Sequence, residues 1–288
     1  MTDPQMSMHQ IQTMEIIPTH GFADEVAIMY SPFKEYIERL FPLMLEHVWH
    51  LKQAERSSVS DELFRSGWIC RLITLDKRVL DPEKQNEIPG WPEIRECLIK
   101  SLEECKEKKQ VPGMISRCME VILPILRQRF ENDYRFPERK FHSWWYTMHD
   151  DETHLALHLV NAYQPESPFD HLLHFLNRML KAVEHAVDRH PGIQVVSCGS
   201  WLNGLPKFQK LWPESFKEDQ RIINQTGGLG PGAWGQYMTI DGGFNEEKAG
   251  QLRRTGKHPF ALTEARTQVS EVIPHLQKLI AEKINSEK

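Results

Sequence analysis

The sequence lacks any apolar run near the roughly 20 residues that a bilayer-spanning helix requires, so a membrane is not an expected partner. The polar, methionine-rich stretch from Met1 to Gln12 has no apolar core of the kind a secretion signal carries. Basic residues form no long run, and the net charge is -5, which argues against nucleic acid. There are five cysteines, an odd number without a CxxC pair, and that count does not make a disulfide framework. A reducing, cytoplasmic setting is therefore expected. HExxH and GxSxG are both absent, and no Cys/His set has the spacing of a structural zinc site. What remains is a chain of 288 residues with an ordinary apolar content, long enough to bury one large core or two smaller ones.

The first third reads as helix. From Asp24 to Arg56, residues such as Ile37, Leu40, Phe41, Met44, Leu45, Val48 and Leu51 recur with a helical period, and Pro32 and Pro42 are expected to break it. Further amphipathic helices are expected from Ser60 or Asp61 onward, over Glu93–Lys108, and over Met114–Phe130, where Pro124 interrupts. The pattern changes near Arg135. "FHSWWYTM" and "THLALHLVNAY", separated by the polar "HDDE", predict a hairpin. Ser167, Pro168 and Asp170 form a helix-start signature ahead of the apolar stripe Leu172, Leu176, Met179, Leu180, Val183 and Val187. His190-Pro191-Gly192 stops that helix, "IQVVSC" predicts a strand behind it, and the whole reads as a strand–helix–strand crossover. Beyond it we expect two short helical pieces within residues 199–220 and a glycine-rich loop. A strand over "AWGQYMTI", a helix ending at Gly256 and a last helix containing Pro274 complete the reading. The expected organisation is a helical N-terminal domain, residues 1–135, packed on an α/β (or α+β) domain, residues 136–288.

Eight of the fourteen histidines fall between His142 and His190, which raises the question of a metal. On a helix, His154 and His158 would lie about 6 Å apart and could share an ion. On a strand they are about 13 Å apart, too far for a metal–nitrogen bond of about 2 Å at each end. The flanking sequence favours the strand. An iron or zinc site for hydrolysis or oxidation remains as an alternative, drawn from His149, Asp151 and His154 within the His142–His158 region. His171, His174 and His185 are expected as surface or packing residues. His158 falls among leucines and is expected to be largely buried and hydrogen-bonded.

"SCGSWLN", Ser197 to Asn203, places a thiol, a hydroxyl, an indole and an amide at the C-terminal end of a strand, where α/β sheets bind ligands. Cys198 is a candidate nucleophile if His158 serves as its base; the alternative is a small buried hydrophobe. "LALHLV", the helix after it, "CGSWL", and then Leu211, Pro213 and Ser215 together resemble the C-terminal module of bacterial GNAT-like acyltransferases, which carry a helical N-terminal domain. The likeness spans about residues 153–216, and Asn203 and Gly204 depart from it. The resemblance implies a small-molecule acyltransferase with an acyl-CoA donor. In it, His158, Cys198 and Ser200 would be catalytic, and Asn161, Trp201 and Asn203 would shape the substrate pocket. The string Gln225 to Gly230 fits the pyrophosphate-binding pattern of that fold, but a strand-like run rather than a helix follows it, so a plain loop is expected.

"RRTGKHPF" concentrates positive charge at a helix end. Arg253 and Arg254 are candidates for clamping an anionic ligand, with Trp234 and Gln236 lining the same cleft. The strand ends at His158–Asn161 and Cys198–Asn203 are expected to open onto that cleft. A non-catalytic small-molecule-binding protein would keep the same features.

Overall fold

The computed structural model describes residues 23–54, 84–88, 90–132, 141–149, 151–224 and 231–286. A helical N-terminal region precedes a five-stranded mixed sheet with helices. Among the described residues its α-helices are α1 (Ala23–Gln53), α2 (Trp91–Glu104) and α3 (Val111–Asn132). α1 runs unbroken through Pro32 and Pro42, so the expected breaks do not occur. Its apolar stripe, including Ile37, Leu40, Phe41, Met44 and Val48, is buried against Leu98, Leu102, Met114, Cys118 and Ile122 of α2 and α3. Pro92 sits in the first turn of α2, where a missing N–H costs nothing. The helix expected from Ser60 or Asp61 and the boundary at Arg135 lie outside the described residues.

The sheet follows the expected hairpin and crossover. β1 (Trp144–Met148) pairs antiparallel with β2 (His154–Leu159), and α4 (Leu172–Arg189) returns the chain to β3 (Val195–Ser200), parallel to β2. β4 (Arg221–Asn224) and β5 (Leu262–Gln268), neither expected from the sequence, complete the order β1-β2-β3-β5-β4. The signature at Ser167 and Asp170 closes a turn just before α4: the Asp170 carboxylate accepts from Ser167 N at 3.3 Å, and α4 begins at Leu172. Two further helices are α5 (Glu246–Thr255), capped by Asn245 and ended by Gly256 at φ 65°, and α6 (Val269–Ser286), which contains Pro274. Only a residue tolerant of positive φ ends α5 this way without strain.

Strand alternation divides the sheet into two faces. Trp144, Leu155, Leu157, Val196, Cys198 and Ala265 share a core with Phe175, Leu176, Met179 and Val183 of α4 and with Val272 and Leu276 of α6. Cross-strand partners link Trp145 to His158, Ala156 to Ser197, and Ser197 to Arg266, which puts these residues on the opposite face.

"AWGQYMTI" is not a strand. Pro231–Trp234 is one helical turn and Gly235–Tyr237 a 3₁₀ turn. Ala233, Trp234, Tyr237, Phe244, Ala249 and Leu252 pack into the core of α1–α3, so this late segment helps bury the N-terminal helices.

Candidate functional site

The parallel ladder between β2 and β3 is short. His154, Leu155 and Ala156 register with Val195, Val196 and Ser197, and no pairing is formed beyond them. Yet β2 continues to Leu159 and β3 to Ser200, each still paired on its outer side to β1 and β5 respectively. The two strands therefore run on from their last shared rung without bonding each other. At this end of the sheet lie the loop after β2, the turn after β3, and the 233–238 segment. Gln164 Nε2 donates to Met238 Sδ at 3.2 Å, and a Cβ on Gly235 would stand 3.5 Å from Trp201 Nε1.

His158 is half-buried rather than enclosed, because strand alternation turns it away from the leucines beside it. Its Nε2 is 2.8 Å from Thr147 Oγ1, and its ring stacks on Trp145 at 5.2 Å between centroids. Hydroxyl and indole from β1 together fix the orientation of the imidazole. Cys198 lies on the other face, in the core shared with α4 and α6, and burial pushes its thiol up to about 12. The pairing of Cys198 as nucleophile with His158 as base is therefore corrected: sheet alternation separates the two, and the thiol stays protonated.

The remaining polar candidates after β3 are engaged locally. Ser200 Oγ accepts from Leu202 N at 3.1 Å and caps the 3₁₀ turn Trp201–Gly204. Asn203 is fully buried; its Nδ2 donates to Cys198 O at 2.9 Å and Thr263 O at 3.0 Å, which ties the turn to β3 and β5. Asn161 braces the loop after β2, donating to Glu166 O at 2.9 Å and accepting from Tyr163 N. Trp234 is wholly buried. Gln236 donates to Ala233 O and accepts from Phe260 N at 2.9 Å. Both lie beside the site as packing and bracing residues rather than as lining. Arg253 Nε donates to Glu46 Oε2 at 2.9 Å, with Glu246 Oε2 at 3.5 Å, so it ties α5 to α1 and is no clamp. Arg254 is an exposed residue of the same helix end, lying along Gly250.

The metal alternative is not assembled either. His149 and His154 stack face to face at 3.9 Å, and Asp151 accepts from Thr153 N at 3.1 Å. Among the described residues no group of three or more His, Cys, Asp or Glu side chains is placed to hold an ion. No described helix is long and apolar enough to cross a membrane. Gln225–Gly230 lies outside the described residues.

Three arrangements were not anticipated. One stands where α4 begins. Arg178 Nε donates to His174 Nε2 at 3.0 Å, so a neutral His174 carries its proton on Nδ1 and donates it to Tyr163 Oη, 2.7 Å away. His142 meets this pair with ring centroids 4.4 Å from Tyr163 and 5.2 Å from His174. Burial, then the neighbouring cations, lower both histidines, and burial raises Tyr163 to about 12. His171 stacks on Tyr163 and pairs with Glu166. The signal lay in the spacing: His171 stands three residues before His174, and His174 four before Arg178, offsets that share one helix face.

The second arrangement is internal. His258 is 8% exposed, its Nδ1 is 2.8 Å from Tyr237 Oη, and its Nε2 has no hydrogen-bond partner among the described residues. Burial drives its pKa to about 4. The third is Lys248, whose ammonium stands 4.8 Å from the Trp201 ring centroid and 5.4 Å from that of Phe260. Compared with family models, curated proteins and solved structures, the chain finds no match.

Proposed function

We propose that the protein is a small-molecule acyltransferase that takes an acyl-CoA donor at the parting ends of β2 and β3. The observation that carries this reading is the ladder that stops at Ala156 and Ser197 while both strands run on. Strand edges that face each other without pairing offer main-chain donors and acceptors to an extended, amide-bearing ligand, the logic of strand addition. The arm of coenzyme A is such a chain. Its phosphates would lie toward the start of α4, which follows β2 at the same end and presents His171, His174 and Arg178 there.

His158 is the general base of this reading. It sits on the last stretch of β2, held by Thr147 and Trp145, and imidazole titrates near working pH. It takes the proton given up by an amine or hydroxyl acceptor as that atom bonds the acyl carbon. The carbon–sulfur bond of the thioester breaks, and the thiol leaves with a proton. Calorimetric titration with acetyl-CoA and with longer acyl-CoA thioesters tests the reading. Micromolar binding that persists in His158→Ala while turnover is lost is the expected result. No heat with any acyl-CoA overturns it.

A further inference from the structure

Lys248 is a cation that feels the charge of the adjacent Glu247 but closes no ion pair among the described residues. It sits in the first turn of α5, half-buried, and among the described residues no carboxylate lies within ion-pair distance of its ammonium. Of the other charges on this helix, Glu246 bonds Arg39 and Arg253, and Arg253 also bonds Glu46. Two ring faces replace the lost water instead. Trp201 and Phe260, 5.6 Å apart between centroids, lie beneath the ammonium. Cation–π contact compensates only part of the hydration an ammonium gives up, and an unpaired, partly desolvated charge favours capture of an anion.

Location gives this cation a use. Trp201 is the first residue after β3, and Phe260 closes the approach to β5, whose Thr263 registers with Ser200. Gly204 lets Phe260 come close: a Cβ there would stand 3.2 Å from the ring. Gly235 lies beside the Trp201 indole nitrogen: a Cβ there would stand 3.5 Å from Nε1. The ammonium thus stands on an aromatic platform at the mouth of the sheet, at the end where β2 and β3 part. The charge pattern of the sequence points to Arg253 and Arg254 for anion recognition, but the pairing of Arg253 with Glu46 and Glu246 occupies that side chain elsewhere.

We infer that Lys248, on its platform of Trp201 and Phe260, is the binding site for a small-molecule oxyanion, a carboxylate or a phosphate, at the end of β3. This stands whether or not the ligand takes part in acyl transfer. Burial lowers the pKa of Lys248, and a bound anion reverses that shift.

The test is a titration of the full-length protein followed through its indole N–H resonances in a ¹⁵N-tryptophan-labelled sample. The Trp201 signal is assigned by its loss in Trp201→Phe. The probes are inorganic phosphate and succinate, with chloride at matched ionic strength as control. A saturable shift of the Trp201 signal with phosphate, with succinate or with both is expected, and the stronger probe tells which source of oxyanion the site prefers. Lys248→Met should weaken that binding at least about ten-fold, the scale of a lost charge-assisted hydrogen bond, with Lys248→Arg retaining part of it. The other indole signals report that each variant is folded. If neither anion moves the Trp201 signal more than chloride does, or if Lys248→Met binds as the parent does, the inference is wrong.

Discussion

His258 makes the protein lose stability in acid by an amount the structure sets. Its ring lies between Trp234, at 5.1 Å, and His47, at 5.4 Å, with Tyr237 on Nδ1. Burial there lowers its pKa from 6.5 to about 4, so the folded protein keeps it neutral while the unfolded chain protonates it. Between those two values the unfolded state binds more protons, and stability falls as pH falls. The contribution is complete above the unfolded pKa, is lost as pH drops toward the folded one, and levels off below. At about 1.4 kcal/mol per pKa unit, the loss comes to about 3 kcal/mol. Urea denaturation followed by circular dichroism measures it, comparing the parent with His258→Gln, which keeps hydrogen-bonding capacity and does not titrate. The remaining histidines are common to both proteins and cancel in the difference. Parallel loss of stability in the two proteins from neutral pH down to the folded pKa would refute the reasoning.

Other residues give narrower expectations. Arg253→Ala removes an exposed ion pair with Glu46 and Glu246, so it should cost no more than about 1 kcal/mol in urea and leave ligand binding unchanged. Native protein should leave Cys198 unlabelled by iodoacetamide, since the thiol is buried and held protonated; a Cys198 adduct in the folded state, detected by mass spectrometry, contradicts this. Asn203→Ala strips a donor from two carbonyls, Cys198 O and Thr263 O, and should destabilise by about 2 kcal/mol or more, read as a lower urea midpoint.

Much of the sheet was legible because its signals are local. Aromatic and aliphatic alternation around "HDDE" predicts the hairpin, and His190-Pro191-Gly192 marks the end of α4. β5 was not legible: "LTEARTQ" turns Thr263, Ala265 and Thr267 toward the helices and charged Glu264 and Arg266 away, and it is a strand because β3 and β4 pair with it on both sides. "AWGQYMTI" misled in the opposite sense. Its bulky residues suit a strand, but Ala233, Trp234 and Tyr237 fall at helical spacing and fill a core built by α1–α3. That core joins residues some 200 positions apart, as the Tyr36 hydroxyl donating to Trp234 O illustrates, and no local pattern encodes such a contact. His258 escaped for the same reason, since between Lys257 and Pro259 it reads as part of a basic loop. Of the site, the strand ends carrying His158 and Ser200 were legible from the crossover. The roles of Ser200, Asn161, Asn203 and Gln236 as braces were not, because a side chain that bonds its own backbone and one that bonds a ligand look alike in sequence.

The central claim is that the parting strands β2 and β3 receive an extended ligand along their inner edges. Amide hydrogen exchange by mass spectrometry, with and without coenzyme A, tests it directly. Added coenzyme A should slow exchange in peptides covering Leu157–Asn161 and Cys198–Asn203, with a lesser effect at the start of α4. Unchanged exchange in both strand ends, or protection confined to the N-terminal helices, would contradict the account.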